Sequence, residues 1–232
     1  MRRLLVALGL FALSHLPARA ADGIWLDQYN ALLYLGMFRL DAELNAMRAT
    51  GARTLLLHAD AIPSPILQFI AWRARQAAGL DTVAWIQKPN RSNLSRAAGL
   101  SGIKAVQIDD HFFDKPPIPI SELKQQLGSK GLWCSFQPRQ FNTTIASQCD
   151  QADVQIYRQT CSDTVATAWR LGILSQPHIA VATYADGSQQ GETLMRCLEQ
   201  KLKATGNPLF VFKWDNQEAR SKQPWRALKP KG

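Results

Sequence analysis

The sequence predicts an α/β protein folded as a compact (βα)8 barrel, a TIM barrel, whose eighth helix is short or missing. Eight strand-like apolar segments alternate with segments of helical spacing, and glycines stand where the helices should end. Such alternation implies parallel strands with right-handed crossovers and helices covering the sheet, and eight units favour closure into a barrel. The predicted strands are residues 24–27, 54–58, 82–87, 105–109, 132–137, 154–157, 179–183 and 209–214.

The segments between these strands carry apolar residues at helical intervals. In the first, Leu40, Leu44 and Met47 recur at i, i+4 and i+7, so one helix face packs inward. Glycine tolerates the left-handed turn that closes a helix. The predicted helices are residues 41–50, 63–78, 93–100, 121–127, 141–147, 164–171 and 191–204. The glycines expected to end helices are Gly51, Gly79, Gly99, Gly128, Gly172 and Gly206.

An open, doubly wound sheet is the alternative architecture. That fold binds dinucleotides through a glycine-rich turn after its first strand. Here Gln28-Tyr29-Asn30 follows the first predicted strand, so the glycine fingerprint is absent. The barrel is therefore the preferred interpretation.

Residues 1–20 are expected to be a signal peptide, followed by the barrel in residues 21–218 and a basic tail in residues 219–232. Arg2 and Arg3 precede an apolar run, and a small-x-small cleavage site ends at Ala20. A membrane anchor is the rival interpretation, but the apolar run is shorter than the ~20 residues that span a bilayer. We therefore expect cleavage after Ala20, a secreted or periplasmic location, and no integral membrane segment in the mature chain.

The formal net charge of +9 constrains the partners. The basic tail is either a solvated end or a contact for an anionic envelope polymer. Nucleic acid is disfavoured because export separates the protein from it and no basic recognition helix or zinc-finger spacing is present. The four cysteines form no C-x-x-C pair, so their connectivity stays open. Cys149 and Cys161 flank one predicted strand, which places them near opposite barrel ends and disfavours their pairing.

Alternation within the fourth predicted strand points to the candidate site. Val106 and Ile108 suit the outer surface against the helices, which turns Gln107 and Asp109 toward the barrel axis. Asp109 then stands at the C-terminal mouth, where active sites of this fold are built. Other strands also end in polar or aromatic residues: Asp27, His58, Gln87, Gln137, Tyr157, Thr183 and, after the last, Asp215.

The cluster Asp109-Asp110-His111 combines two acids and a histidine at this mouth. Clustered carboxyl groups at a barrel mouth have perturbed pKa values, which favours a catalytic role for Asp109. Asp110 is a candidate for ligand binding or for a loop or helix-cap role. His111 and His58 are candidate ligand-binding or structural histidines.

Aromatic and amide side chains also gather near the predicted mouth. Trp25, Tyr157 and Trp214 offer flat faces for sugar rings. Hydrogen bonds to sugar hydroxyls are expected from Gln87, Gln107, Gln137 and Gln155. This composition is typical of a carbohydrate site. For inward-facing Trp25, a role in the core is an equal alternative.

Two stretches carry a family resemblance. Residues 106–112, with the sequence VQIDDHF, resemble the fourth-strand motif of bacterial glycosyl-hydrolase-like (βα)8-barrel families related to the hydrolase domain of poly-N-acetylglucosamine deacetylases. Residues 23–26, GIWL, resemble the first-strand entry of the same group. The resemblance implies glycoside hydrolysis or polysaccharide binding, with Asp109 at the position of the candidate catalytic acid.

Glycoside cleavage normally needs two carboxyl groups, and no glutamate ends any predicted strand. The second group would be Asp27, Asp110, Asp186 or Asp215; we expect Asp109 as general acid/base with Asp27 or Asp215 as its partner. A catalytically silent barrel that binds envelope polysaccharide is the alternative. A metal-dependent hydrolase using Asp109, His111 and His58 is weaker because no H-x-H or H-E-x-x-H spacing exists. No cofactor or metal is therefore expected.

Overall fold

The computed structural model describes residues 22–116, 118–158, 160–184 and 189–212, without the side chains of residues 189–192. Within these ranges eight parallel strands close into a barrel in chain order, and the last strand pairs with the first. The predicted barrel is confirmed and the open sheet is excluded. The strands are β1 (Gly23–Leu26), β2 (Thr54–His58), β3 (Asp81–Ile86), β4 (Ile103–Ile108), β5 (Gly131–Phe136), β6 (Gln151–Gln155), β7 (Ile179–Tyr184) and β8 (Leu209–Phe212).

The seven predicted helices are all present, with ends shifted by at most three residues. Two α-helices and one 3-10 helix, Ile173–Ser175, were not predicted in the described ranges. The two α-helices are the one after β1 and a four-residue helix after β4, and both follow strand ends directly. The helices are α1 (Gln28–Gly36), α2 (Leu40–Ala49), α3 (Ser64–Ala78), α4 (Arg91–Ala98), α5 (His111–Asp114), α6 (Ile120–Leu127), α7 (Thr143–Ala146), α8 (Cys161–Arg170) and α9 (Gln189–Thr205).

Some predictions concern residues outside the described ranges. These are the signal peptide with its cleavage after Ala20, the basic tail, the eighth helix, Asp186, Trp214 and Asp215. Across the residues that are described, no helix combines the length and apolar character needed to cross a bilayer.

The strands separate two cores, as their alternating side chains require. Val106 and Ile108 belong to the large outer core between strands and helices. The inner core fills the barrel with rings and small side chains, among them Trp25, Trp85 and Phe210. The predicted division of β4 into an outward and an inward face is thus confirmed.

Five of the six glycines expected to end helices adopt positive φ. Gly79, with φ of 63°, follows α3 directly, and its N–H donates to the carbonyl of Arg75. Gly99 differs, with φ of −79°. Gly102 instead takes the left-handed conformation, at φ of 76°, in the turn that leads into β4.

Both disulfides join the outer layer of the barrel. Cys134 on β5 is bonded to Cys149, which precedes β6, with their Cα atoms 6.0 Å apart. Cys161 at the start of α8 is bonded to Cys197 on α9, with their Cα atoms 6.1 Å apart. The disfavoured pairing of Cys149 with Cys161 is absent, and the connectivity that the sequence left open is now defined.

Candidate active site at the mouth of the barrel

Two buried acids follow β4 at the C-terminal mouth. Asp109 is 4% exposed and Asp110 is 5% exposed. Gln155 donates from Nε2 to Oδ1 of Asp109 at 3.3 Å, and Gln137 donates from Nε2 to Oδ2 of Asp110. The ends of β4, β5 and β6 therefore bring together two carboxyl groups and two carboxamides, of which Asp109 and Gln137 were expected at strand ends.

A hollow of about 230 Å³ opens beside these groups, at the ends of β5 and β6. Its lining combines carboxamide, ring and guanidinium groups. The ring of Tyr157 stacks on Phe212 with centroids 6.2 Å apart. The volume lies below the ~300–1,000 Å³ of pockets for drug-sized ligands, so it suits a group about the size of one sugar ring. The lining residues are Gln137, Pro138, Gln155, Tyr157 and Arg158.

The two acids affect one another electrostatically. Burial, followed by the negative charge of Asp110, raises the pKa of Asp109 to about 6. The amide N–H of Asp110, which donates to Oδ1 of Asp109 at 3.0 Å, opposes this rise. Asp109 can therefore exist as a neutral acid in weakly acidic solution, which suits a proton donor.

A third carboxyl group, Asp153 on β6, lies inside the barrel below the mouth. It is 1% exposed; its Oδ1 accepts from Nε2 of Gln107 and its Oδ2 accepts from Oγ of Ser135, both at 2.6 Å. Burial raises the pKa of Asp153 to about 8, the hydrogen bond with Ser135 opposes the rise, and the charge of Asp109 adds to it.

Sequence reasoning missed Asp153 because it started the sixth strand at residue 154. The strand begins at Gln151, so Asp153, Gln155 and Tyr157 fall on alternate positions. An earlier start would have given all three the same inward face. Burial, with the negative charges of Asp153 and Asp109, raises the pKa of Tyr157, so its phenol remains a hydrogen-bond donor.

Gln107 and Trp25 lie beneath the mouth. Gln107 is fully buried and Trp25 is 2% exposed, and the indole N–H of Trp25 donates to Oε1 of Gln107 at 2.9 Å. This places both residues under the site, in the packed interior. Their predicted contact with a sugar stays a prediction.

His58 forms a second cluster at the ends of β2 and β3. Its ring lies 4.5 Å from that of Trp85 between centroids, and its Nε2 lies 3.5 Å from Oδ2 of Asp60. The same Asp60 oxygen accepts from the backbone amides of Gln87 and Lys88 at 3.0 and 2.9 Å. Burial alone would raise the pKa of Asp60, but His58 and these amides outweigh it and lower the pKa. Asp60, which sequence reasoning missed, thus holds His58 and the backbone of Gln87 in place.

Asp27 caps α1 at the end of β1. Its Oδ1 accepts from the backbone N–H of Asn30 at 2.8 Å, and its Oδ2 accepts from the Asn30 side chain at 3.1 Å. Both carboxylate oxygens of Asp27 therefore bind the first turn of α1 and cap this helix. Catalysis by Asp27 stays a prediction.

His111 stands at the outer edge of the acidic pair. Its side chain is 65% exposed and its Nδ1 lies 3.9 Å from Oδ1 of Asp110. One ligand atom each from Asp109, Asp110 and His111 lie within 4.8 Å of one another, whereas His58 is not part of this group. Of the three metal ligands considered from sequence, Asp109 and His111 are thus close together and His58 is apart from them. One oxygen of each acid also accepts a side-chain hydrogen bond.

The fold and the site define a (βα)8 barrel with an acidic C-terminal mouth. No protein-family model matches the sequence, and no curated protein matches it. Similar solved structures include a glycoside hydrolase family 17 β-1,3-glucanosyltransferase from Rhizomucor miehei, with a TM-score of 0.58 and 12% identity over 84% of this chain and 87% of that one. The catalytic domain of a mannanase from Streptomyces sp. SirexAA-E has a TM-score of 0.57 and 14% identity over 85% and 76% of the two chains. A β-glucuronidase from Ruminococcus gnavus has a TM-score of 0.56 and 7% identity over 90% of this chain and 49% of that one. At these identities the likeness is one of fold.

Proposed function

We propose that this chain is an exported glycoside hydrolase-like protein that acts on an oligosaccharide or polysaccharide at the C-terminal mouth of its barrel. The observation that carries the proposal is the buried Asp109 carboxyl, held beside Asp110 and next to a hollow the size of a sugar ring. Similarity in fold to solved glycoside hydrolases supports it. Two disulfides support export, because such bonds persist in oxidising compartments.

Asp109 is the proposed proton donor. With its pKa near 6, the protonated carboxyl gives its proton to the glycosidic oxygen as the bond to the sugar breaks. Asp110 helps to keep that proton in place through its negative charge. Since oxygens of the two acids lie within 4.8 Å on adjacent residues, Asp110 is assigned this supporting role.

The partner carboxylate, which attacks the sugar or activates water, is assigned to Asp27 or Asp215. Retaining enzymes place their two carboxyl groups about 5–5.5 Å apart and inverting enzymes about 6.5–9.5 Å apart. Asp27 lies at the end of β1, on the same rim as Asp109 at the end of β4. Tyr157, Gln137, Gln87 and His111 are proposed to bind sugar hydroxyls and ring faces around this pair.

A non-catalytic carbohydrate-binding barrel is the second candidate. It is favoured by one observation: both oxygens of Asp27 already accept hydrogen bonds from Asn30 at the start of α1. A carboxylate used as a helix cap is less available to attack a sugar. The hollow and its carboxamide lining would serve binding equally well.

The deciding experiment compares the wild type with Asp109→Asn on β-1,3-glucan, mannan and poly-N-acetylglucosamine. The assay measures new reducing ends, together with binding of the same polymers. For an enzyme, we expect hydrolysis of at least one polymer by the wild type and a loss of about 100-fold or more in Asp109→Asn, with binding retained. Asp81→Asn, which alters an acid at the start of β3 and so at the opposite end of the barrel, is the control and should keep activity. Binding without hydrolysis by the wild type would establish the second candidate.

A further inference from the structure

The hydrogen bond between Gln107 and the buried carboxyl of Asp153 can run in one direction only. The indole N–H of Trp25 donates to Oε1 of Gln107, so Gln107 must present its Nε2 to Oδ1 of Asp153. Oδ1 of Asp153 is therefore always an acceptor. Only Oδ2, which lies 2.6 Å from Oγ of Ser135, is placed to carry a proton.

Ser135 links Asp153 to the mouth. Its Oγ accepts from Nε2 of Gln155 at 2.9 Å, and the same Nε2 reaches Oδ1 of Asp109 at 3.3 Å. Gln155 has two N–H bonds, one for each acceptor. The position of the carboxamide at Asp109 thus depends on Ser135, and the position of Ser135 depends on Asp153.

The charges around Asp153 favour its neutral form. Within the part of the chain that the structure describes, its hydrogen-bond partners, Gln107 and Ser135, are uncharged, and the charged groups that act on it are the negative Asp109 and Asp110. Tyr157 faces this group as a neutral phenol, and His111 is exposed at the far side of Asp110. A fully buried carboxylate without a cationic partner is costly, whereas a carboxylic acid that donates one hydrogen bond is not.

We propose that Asp153 is a positioning residue that acts as a neutral carboxylic acid, holding Ser135 and thereby the Gln155 carboxamide against Asp109. The proposal rests on the proposed function, in which Asp109 is the proton donor. The Ser135 hydroxyl donates to Oδ2 of an ionised Asp153 across 2.6 Å; with neutral Asp153 the hydroxyl turns and accepts the acid proton across the same contact, and no negative charge stands below the mouth. The proton affinity of Asp109 is then governed by its burial and by Asp110.

The first test is a pH titration of the wild type labelled with ¹³C at the aspartate carboxyl carbons, followed by NMR. We expect the Asp153 carbon to keep the chemical shift of a protonated acid at pH 7, where most of Asp109 has ionised. Titration of Asp153 at a lower pH than Asp109 overturns the proposal. This measurement needs no variant, so it decides the matter even if a substitution prevents folding.

The second test compares Asp153→Asn with Ser135→Ala by the same titration of Asp109. In the Asp153→Asn variant, the new carboxamide would accept from Gln107 through its oxygen and donate to Ser135 through its nitrogen, as the neutral acid does, so the midpoint of Asp109 should not move. Ser135→Ala removes the support of Gln155, which weakens a hydrogen bond to ionised Asp109 and should raise that midpoint. Asp81→Asn, at the opposite end of the barrel, is the control for loss of a carboxyl group.

A lower midpoint for Asp109 in Asp153→Asn means that Asp153 carried a charge, and an unchanged midpoint in Ser135→Ala means that the contact through Gln155 has no effect. Either result overturns the proposal. Neither measurement requires turnover. A protein that cleaves no glycan would therefore contradict the proposed function and leave these outcomes readable.

Discussion

The indole N–H of Trp25 donates to Oε1 of Gln107 across the inside of the barrel, at 2.9 Å, and joins β1 to β4. The two residues are 82 positions apart in the chain, so the bond exists only once the barrel has closed. It determines which end of the Gln107 carboxamide faces Asp153. Trp25, for which the sequence left open a role in sugar stacking or in the core, is thus part of a buried polar network.

Replacing Trp25 with phenylalanine should destabilise the protein. An aromatic ring is kept, but buried Oε1 of Gln107 loses its donor, which is expected to cost about 1–3 kcal/mol of unfolding free energy. Urea unfolding monitored by circular dichroism measures it. Trp169→Phe, at a position 73% exposed, is the control and should change stability by less than about 0.5 kcal/mol. Equal losses in the two variants would mean that the interior bond contributes nothing.

The rate of glycan hydrolysis should fall on the alkaline side with a midpoint near pH 6. A general acid must be protonated, and burial together with Asp110 sets the pKa of Asp109 at about 6. Asp110→Asn removes the neighbouring charge and should move the midpoint of kcat/KM to lower pH. Asp81→Asn, at the opposite end of the barrel, should leave the midpoint unchanged. An alkaline limb that does not respond to Asp110→Asn would assign the proton donor to another group.

Stability should fall as the pH rises from about 4 toward 8. The folded-state pKa values of Asp109, about 6, and Asp153, about 8, both exceed the ordinary value of 3.8, so the folded protein binds more protons in this range. Asp109→Asn removes one of these contributions and should be more stable than the wild type at pH 7, by roughly 1–3 kcal/mol, and equally stable near pH 4. Carboxyl groups with a lowered pKa, such as Asp60, change the free energy of unfolding only at pH values below this range. Denaturant unfolding at a series of pH values measures the slope, and a flat wild-type curve would contradict it.

Removing either disulfide should destabilise the oxidised protein. The bonds join cysteines 15 and 36 positions apart, for which loop-closure entropy gives about 3 and about 4 kcal/mol. We expect the double variant Cys161→Ala/Cys197→Ala to lose more stability than Cys134→Ala/Cys149→Ala. Denaturant unfolding of each variant, with and without reductant, tests this order. Full stability of the reduced wild type would contradict both values.

The eight strands and seven of the helices could be predicted because periodic apolar residues and terminal glycines are local signals. The inward direction of Asp109 could be predicted for the same reason, since side chains alternate regularly between the two cores from Ala105 to Ile108. The helix α1 could not be predicted, because the capping role of Asp27 depends on a hydrogen bond to Asn30 that no periodic pattern indicates.

The partners of the site residues could not be predicted either. Asp60 reaches His58 and the backbone of Gln87 across two strands, and Asp153 depends on a strand start three residues earlier than an apolar run suggests. The pairing of cysteines is likewise a property of the closed barrel. Contacts between strands fix these features, and a sequence without distances does not contain them.

The rings of Trp25 and Trp133 pack edge-on and face-on against Phe210 beneath the acids, with centroids 5.7 and 5.8 Å from it. Among the described residues these rings fill the barrel below the site. The described part of the chain therefore leaves Asp109 to be approached from the C-terminal mouth. A long chain of linked sugars would have to lie across that opening with both ends in solvent, and a cleaved fragment would leave by the way it came.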